Sequence, residues 1–184
     1  MTADAARAIV VMRSVDGARL MLEPLCAEHA EAMFVVLSDP AIYEYENAPP
    51  LSVGWLRARY AMLESRRSPD ARQQWLNWVI RLPDSALIGY VQATVTADGS
   101  ALIAYELGSA YWGRGWAYQA VSAMIGELAA QYQVRACWAL LKRRNHRSMR
   151  LLERLDFVPA TGEQHVAHAA ALDEALMHRD VSLT

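Results

Sequence analysis

The sequence predicts a mixed α+β fold, in which helices cover the faces of a single sheet. Three observations predict it. Strand-like segments follow one another from Trp75 to Leu107, separated by turn residues. A strand, a long helix and a strand then span 102–141, an order that favours a parallel crossover. Apolar residues at helical spacing mark four helices along the chain.

The elements follow in order. Residues 1–15 are Ala-rich and weakly patterned, a mobile lead-in or an added edge strand; 1–17 is set apart as an N-terminal extension, and 18–184 read as one domain. Arg19 to Pro24 alternates loosely and forms a first strand stopped by proline. Ala27, Ala30, Phe34 and Leu37 place a helix over 27–38, and Ser38-Asp39-Pro40 leads into a short turn reaching Tyr45. After Asn47-Ala-Pro-Pro50, Ser52 is the N-cap of a helix whose buried face carries Val53, Leu56, Tyr60 and Leu63. Trp75–Leu82, Leu87–Thr96 and Leu102–Leu107 form an antiparallel meander with a hairpin at Ala97-Asp-Gly-Ser100. Ala117, Ala120, Val121, Met124 and Leu128 line a long helix, followed by a strand at 134–141. Met149, Leu152 and Leu155 mark a further helix, Phe157-Val-Pro starts a strand, and 171–181 supplies the last one.

Composition narrows the function classes. Of 184 residues, 54% are hydrophobic and 21% charged, an ordinary globular balance rather than a disordered one. The formal net charge is −2, with no basic stripe for nucleic acid; Lys142-Arg-Arg144 is the one basic run. The two cysteines, Cys26 and Cys137, lack zinc or disulfide spacing and suit idle thiols in a reducing cytoplasm. His165, His168 and His178 do not form a convincing metal set, so no metal is expected. The apolar run at 9–12 is too short for a signal-peptide core, and no stretch approaches a membrane span. The expectation is a soluble cytoplasmic protein, monomeric or homodimeric.

Tyr111-Trp-Gly-Arg-Gly-Trp-Ala-Tyr-Gln-Ala-Val121 is the most informative segment. Gly113 and Gly115 let the backbone turn tightly and approach a ligand. The amides that open the following helix lack internal partners and sit at its positive end, which favours an anion. Arg114 adds a charged donor. The spacing is neither a dinucleotide fingerprint nor a P-loop, since Tyr118 stands at the third small position and no Gly-Lys-Ser/Thr occurs. A Gly-rich connector without a ligand fits the same residues.

The run from Ile103 to Ala117 resembles the acetyl-CoA-binding motif of the GNAT superfamily of N-acetyltransferases, most of all its ribosomal-protein N-terminal acetyltransferase branch. Asn145-His-Arg-Ser148 followed by Leu151-Leu-Glu-Arg-Leu-Asp-Phe157 resembles the family's second motif. Arg19–Pro24, Leu37-Ser-Asp-Pro40 and Ile88-Gly-Tyr90 also resemble that branch, so the likeness covers about 18–180. Three positions depart from the pattern. Trp112 replaces the superfamily's Gln or Arg, although this branch often has Trp there. Gln119 replaces Glu, and Asp156 replaces a Gly expected to adopt a left-handed conformation.

The resemblance implies a mostly antiparallel sheet, splayed between two parallel strands at 102–108 and 135–141, with helices on both faces. Gly108 would permit the distortion of that splay. Acetyl-CoA would lay its pantetheine along 103–108, Leu107 included. Its pyrophosphate would sit on the amides around Trp112, Gly113, Arg114, Gly115, Trp116 and Ala117. Asn145 would hold the pantetheine, and Ser148 would protonate or orient the leaving thiolate. An N-cap and an ordinary first-turn serine describe those two residues equally well. An attacking ammonium must first lose a proton, and Glu106 is the candidate base, directly or through water. A cross-strand ion pair is the other use of Glu106.

The acceptor is a primary amine, a protein N-terminus or a small molecule. Tyr43, Glu44, Tyr45, Glu46 and Arg57 are candidate contacts for it. Trp55, Trp75 and Trp78 either wall its pocket or fill the core. Lys142–Arg144 would meet a phosphate or stay solvated, and His146 is a surface residue or an acid–base group. A non-catalytic acyl-CoA sensor and a structural domain without nucleotide are the competing functions.

Overall fold

The computed structural model describes residues 11–45 and 47–181. The Ile9-Val10 part of the early apolar run and the candidate acceptor contact Glu46 lie outside the described residues. Eight strands form one sheet: β1 (Val15–Asp16), β2 (Met21–Pro24), β3 (Gln73–Arg81), β4 (Leu87–Thr96), β5 (Ser100–Leu107), β6 (Ala136–Lys142), β7 (Val158–Pro159) and β8 (Glu174–Asp180). Their spatial order is β1-β2-β3-β4-β5-β6-β8-β7. Every neighbouring pair is antiparallel except β5–β6. That parallel pair holds register only over Ser100–Leu102 against Ala136–Trp138. Beyond it the two strands part, so the sheet is splayed where the sequence motifs converge.

Five helices cover the sheet: α1 (Ala30–Leu37), α2 (Val53–Leu63), α3 (Trp116–Tyr132), α4 (His146–Arg154) and α5 (Gly162–Ala167). Two apolar clusters occupy opposite faces. One joins α3 and α4 to Leu22, Leu76, Trp78, Ile80, Val91 and Ile103. The other joins α1 and α2 to Leu25, Val79 and Leu87. Burying full-sized side chains on both faces is worth about 1.5–3 kcal/mol each. No described helix is long and apolar enough to cross a membrane.

Local chemistry sets the boundaries. The Ser52 hydroxyl accepts the Trp55 N–H at 3.1 Å and opens α2. The Asp39 carboxylate accepts the Ala41 N–H and so starts the turn at 40–43. Gly99 turns the β4–β5 hairpin at φ 80°, with the Asp98 carboxylate accepting the Ser100 N–H.

Four findings bear on the sequence expectation: two depart from it, one decides between its alternatives for the lead-in, and one concerns a position it singled out. First, α5 was not foreseen. It is opened by a Thr161–Gln164 capping box, but its one large apolar residue, Val166, is exposed, so it carries no stripe. Second, Gly108 has an ordinary φ of −54° and needs no glycine freedom. Gly89 does: a Cβ there would sit 2.1 Å from the Glu106 carbonyl oxygen. Third, the lead-in is tied down from Arg13 onward. Its guanidinium makes a two-pronged pair with Glu127, and β1 pairs with β2. Glu127 is only 4% exposed, so Arg13→Ala would leave a buried carboxylate without its cation. A drop of several degrees in melting temperature is expected, with Arg13→Lys falling between the two.

The fourth concerns Asp156. It does adopt the left-handed conformation, at φ 62°. A side chain there costs about 1 kcal/mol or more relative to glycine. Asp156→Gly should therefore raise stability by roughly that amount in urea unfolding. An unchanged midpoint would mean that the carboxylate compensates locally.

Candidate active site

The alternation of β5 decides what faces where. Val79, Tyr90 and Glu106 are cross-strand partners and share the face covered by α1 and α2. Tyr105 points the other way, beside α3 and α4. A cavity lies on each side of the strand end. The first, about 400 Å³, is walled by Tyr105, Leu107, Trp112, Gly113, Gly115 and the start of α3, with α4 opposite. The second, about 300 Å³, lies among α2, the 47–50 segment and the sheet. Glu106 lines both.

The first cavity has the features an anion requires. Gly113 and Gly115 have φ of 72° and 78°, and no atom lies within 4 Å of where either Cβ would be. The turn is therefore left-handed and open to a ligand. The Gln119 N–H reaches the Gly115 carbonyl at 3.2 Å. The amides ahead of it have no partner within the helix. Arg147, Arg150 and Arg154 line the wall, against Glu106 as the one acid. The Arg147 guanidinium lies 3.6 Å from the Trp112 ring centre, and Arg154 stacks on Tyr118 at 5.0 Å.

Nine of the ten predicted site residues line this cavity: Glu106, Leu107, Trp112, Gly113, Gly115, Trp116, Ala117, Asn145 and Ser148. Arg114 does not, and its side chain points to solvent. Trp112 turns its indole N–H to the Leu107 carbonyl at 2.9 Å, which pins the turn to the end of β5. The Asn145 carboxamide oxygen caps α4 by accepting the Ser148 N–H at 3.1 Å. Its NH₂ group remains the side available to a ligand.

The Ser148 hydroxyl is 2.6 Å from the Tyr105 hydroxyl. Burial pushes the Tyr105 phenol up to about 12, against the opposing effect of the Ser148 hydrogen bond. It therefore keeps its proton at neutral pH. Sequence reasoning assigned Tyr105 no role; the signal that could have found it is its alternation with Glu106 at the end of β5. On the other face, the Tyr90 hydroxyl hydrogen-bonds Glu106, and burial, reinforced by that carboxylate, holds the phenol well above its usual range.

The Asp39 carboxylate accepts the Ser109 N–H at 2.9 Å and ties the α1–α2 connection to the strand end. Ser109 holds its carboxyl below the usual range. Among the other expected contacts, Trp55 and Tyr43 line the second cavity and Tyr45 the first. Glu44 lines neither, and Arg57 pairs with Glu31 at 2.7 Å. Trp78 is core, and Trp75 stands outside both cavities. Lys142 is bound to Asp173 and Glu174, Arg143 donates to the Leu172 carbonyl, and His146 lines neither cavity.

Comparisons with known proteins agree with the fold. Among curated proteins, none matches the chain by sequence. Solved structures match at low identity and show the fold. RimL, a ribosomal L7/L12 α-N-protein acetyltransferase in complex with coenzyme A, is 15% identical with TM-score 0.78, covering 94% of this chain and 100% of its own. Mycobacterium smegmatis RimJ in complex with a CoA disulfide is 19% identical with TM-score 0.76, covering 92% and 88%. Ribosomal-protein-S5-alanine acetyltransferase from Vibrio fischeri is 16% identical with TM-score 0.74, covering 92% and 97%. The acetyltransferase (GNAT) domain family matches residues 19–158, most of the chain, and with the splayed sheet and the open turn before α3 this establishes that the protein belongs to the GNAT acetyltransferase family.

Proposed function

We propose that this acetyltransferase moves the acetyl group of acetyl-CoA to a primary amine held in the second cavity. One observation carries the proposal: two cavities on opposite sides of β5 meet at a single carboxylate, Glu106. The first cavity suits acetyl-CoA. Its open glycine turn, free helix amides and three arginines match a polyanion with a diphosphate. Its lining also includes Glu106 and Ser148. When bound there, acetyl-CoA supplies the electrophilic carbonyl carbon and the thiolate leaving group.

The chain's own groups do the rest. Glu106 takes a proton from the acceptor ammonium, which cannot attack while protonated. The Tyr90 hydroxyl holds that carboxylate in place. Tyr105 and Ser148 share a hydrogen bond on the donor side, and the pair delivers a proton to the departing sulfur. Asn145 orients the pantetheine through its NH₂ group. Two free cysteines suit a reducing compartment, and we place the activity in the cytoplasm.

Ser148→Ala and Tyr105→Phe should each lower kcat by about 10²-fold while leaving acetyl-CoA binding largely intact. Single-turnover kinetics with calorimetric binding separates the two effects. Equal losses in affinity and rate would make the pair structural. The proposal itself is tested by free-thiol release from acetyl-CoA across peptide N-termini, polyamines and aminoglycosides. Binding of acetyl-CoA with no thiol released by any amine would favour a non-catalytic sensor.

A further inference from the structure

The parallel strands β5 and β6 part beyond Leu102 and Trp138, so their C-terminal ends leave a gap at one edge of the sheet. The segment 39–45 bridges that gap. At one end the Asp39 carboxylate accepts the N–H of Ser109, two residues past the end of β5, at 2.9 Å. At the other end the Tyr45 ring lies 5.6 Å from the guanidinium of Arg144, two residues past the end of β6. That distance is within reach of a cation–π contact. One strap is therefore tied to both of the strands that diverge.

The Asp39 tie has two arms. Its other oxygen accepts the Ala41 N–H at 3.0 Å, so the carboxylate joins the start of the strap to the strand end. Bonds from Ser109 and Ala41 hold this carboxyl below the usual range, so the tie persists at neutral pH. Between the ties, Ala41, Ile42 and Tyr45 line the first cavity beside Glu106, and Tyr43 lines the second. The strap thus walls the point where thioester and amine meet. Such a wall answers a chemical need, because a base that takes a proton from an amine also takes one from water. Water would then attack the thioester carbonyl. The oxygen–carbon bond forms, the carbon–sulfur bond breaks, one proton passes to the sulfur and the other leaves with the acetic acid. The acetyl group is wasted unless water is kept out.

We propose that Asp39 and Arg144 are positioning residues that hold the 39–45 strap across the splay, and that the strap excludes water from the thioester and so couples its cleavage to the amine. Neither residue lines either cavity, so both act through the strap. The inference deepens the acyltransferase function and rests on it.

Thiol released and amine acetylated are counted in the same reaction, with an amine that the wild type accepts. The wild type should release one thiol per amine acetylated. Asp39→Ala should release about 10-fold more thiol per acetylated amine, the scale of a hydrogen bond to a charged group. Arg144→Gln should release about 2–5-fold more, the scale of an exposed cation–π contact. Acetate makes up the difference in both. Arg144→Lys keeps the cation and should fall between the wild type and Arg144→Gln. Arg144 is exposed, so Arg144→Gln should keep its melting temperature. A one-to-one count in either Asp39→Ala or Arg144→Gln overturns the proposal, whether or not the rate falls, and leaves the acyltransferase standing. Thiol release by the wild type without amine, as fast as with it, does the same. A wild type that acetylates no amine overturns the acyltransferase function and this proposal with it.

Discussion

Glu106→Gln is expected to lower kcat/KM by about 10²–10⁴-fold, the range for losing a positioned base. The change keeps the size of the side chain and its contact with Tyr90. Folding and acetyl-CoA affinity should therefore change little. The sign of the pH effect follows from the chemistry. A base works only when ionised, so the wild-type rate rises as pH climbs through the carboxyl's pKa, and this limb vanishes in the glutamine variant. Tyr90→Phe removes a hydrogen bond that favours the ionised form, so the limb moves to higher pH. A Glu106→Gln protein with near-normal kcat/KM would leave proton removal to ordered water and make Glu106 a fold residue.

Gly89→Ala should be the most damaging small change in the chain. The added Cβ would lie 2.1 Å from the Glu106 carbonyl oxygen and 2.8 Å from the Leu107 Cα. Backbone cannot yield as a flexible side chain does, and overpacking of this kind costs about 3 kcal/mol. β5 must also shift where Glu106 leaves it, and a displacement of about 1 Å can cost about 10²-fold in rate. Thermal unfolding and kcat should fall together. Full stability and activity in Gly89→Ala would show that β4 and β5 separate without cost at this point.

Much of this was legible in the sequence. The Gly113–Gly115 turn, the Ser52 and Asn145 caps and the apolar stripe of α3 are local signals, and they lie where spacing put them. Glu106 was legible because two-residue alternation separates it from Tyr105. What escaped depends on distance along the chain. Tyr105 meets Ser148 across 43 residues, and Arg13 meets Glu127 across 114, so no local pattern marks either pair. The second cavity combines α2, the 47–50 segment and three strands, and Tyr60 reads locally as one more apolar face position. Arg114 was assigned by motif alone. Its backbone belongs to the turn, while the arginines that face the cavity come from α4. α5 escaped for the opposite reason, since it buries nothing that would imprint a period.

The central claim is that unpartnered amides at the head of α3 hold the diphosphate of acetyl-CoA. Calorimetric titration of the protein with acetyl-CoA, paired with its melting temperature, tests this most directly. The account predicts one site per chain, stabilisation of about 2.7 kcal/mol at ~100 times the dissociation constant, and marked weakening in Gly115→Val, whose side chain would fill the open turn. No heat and no thermal shift at millimolar acetyl-CoA would contradict it.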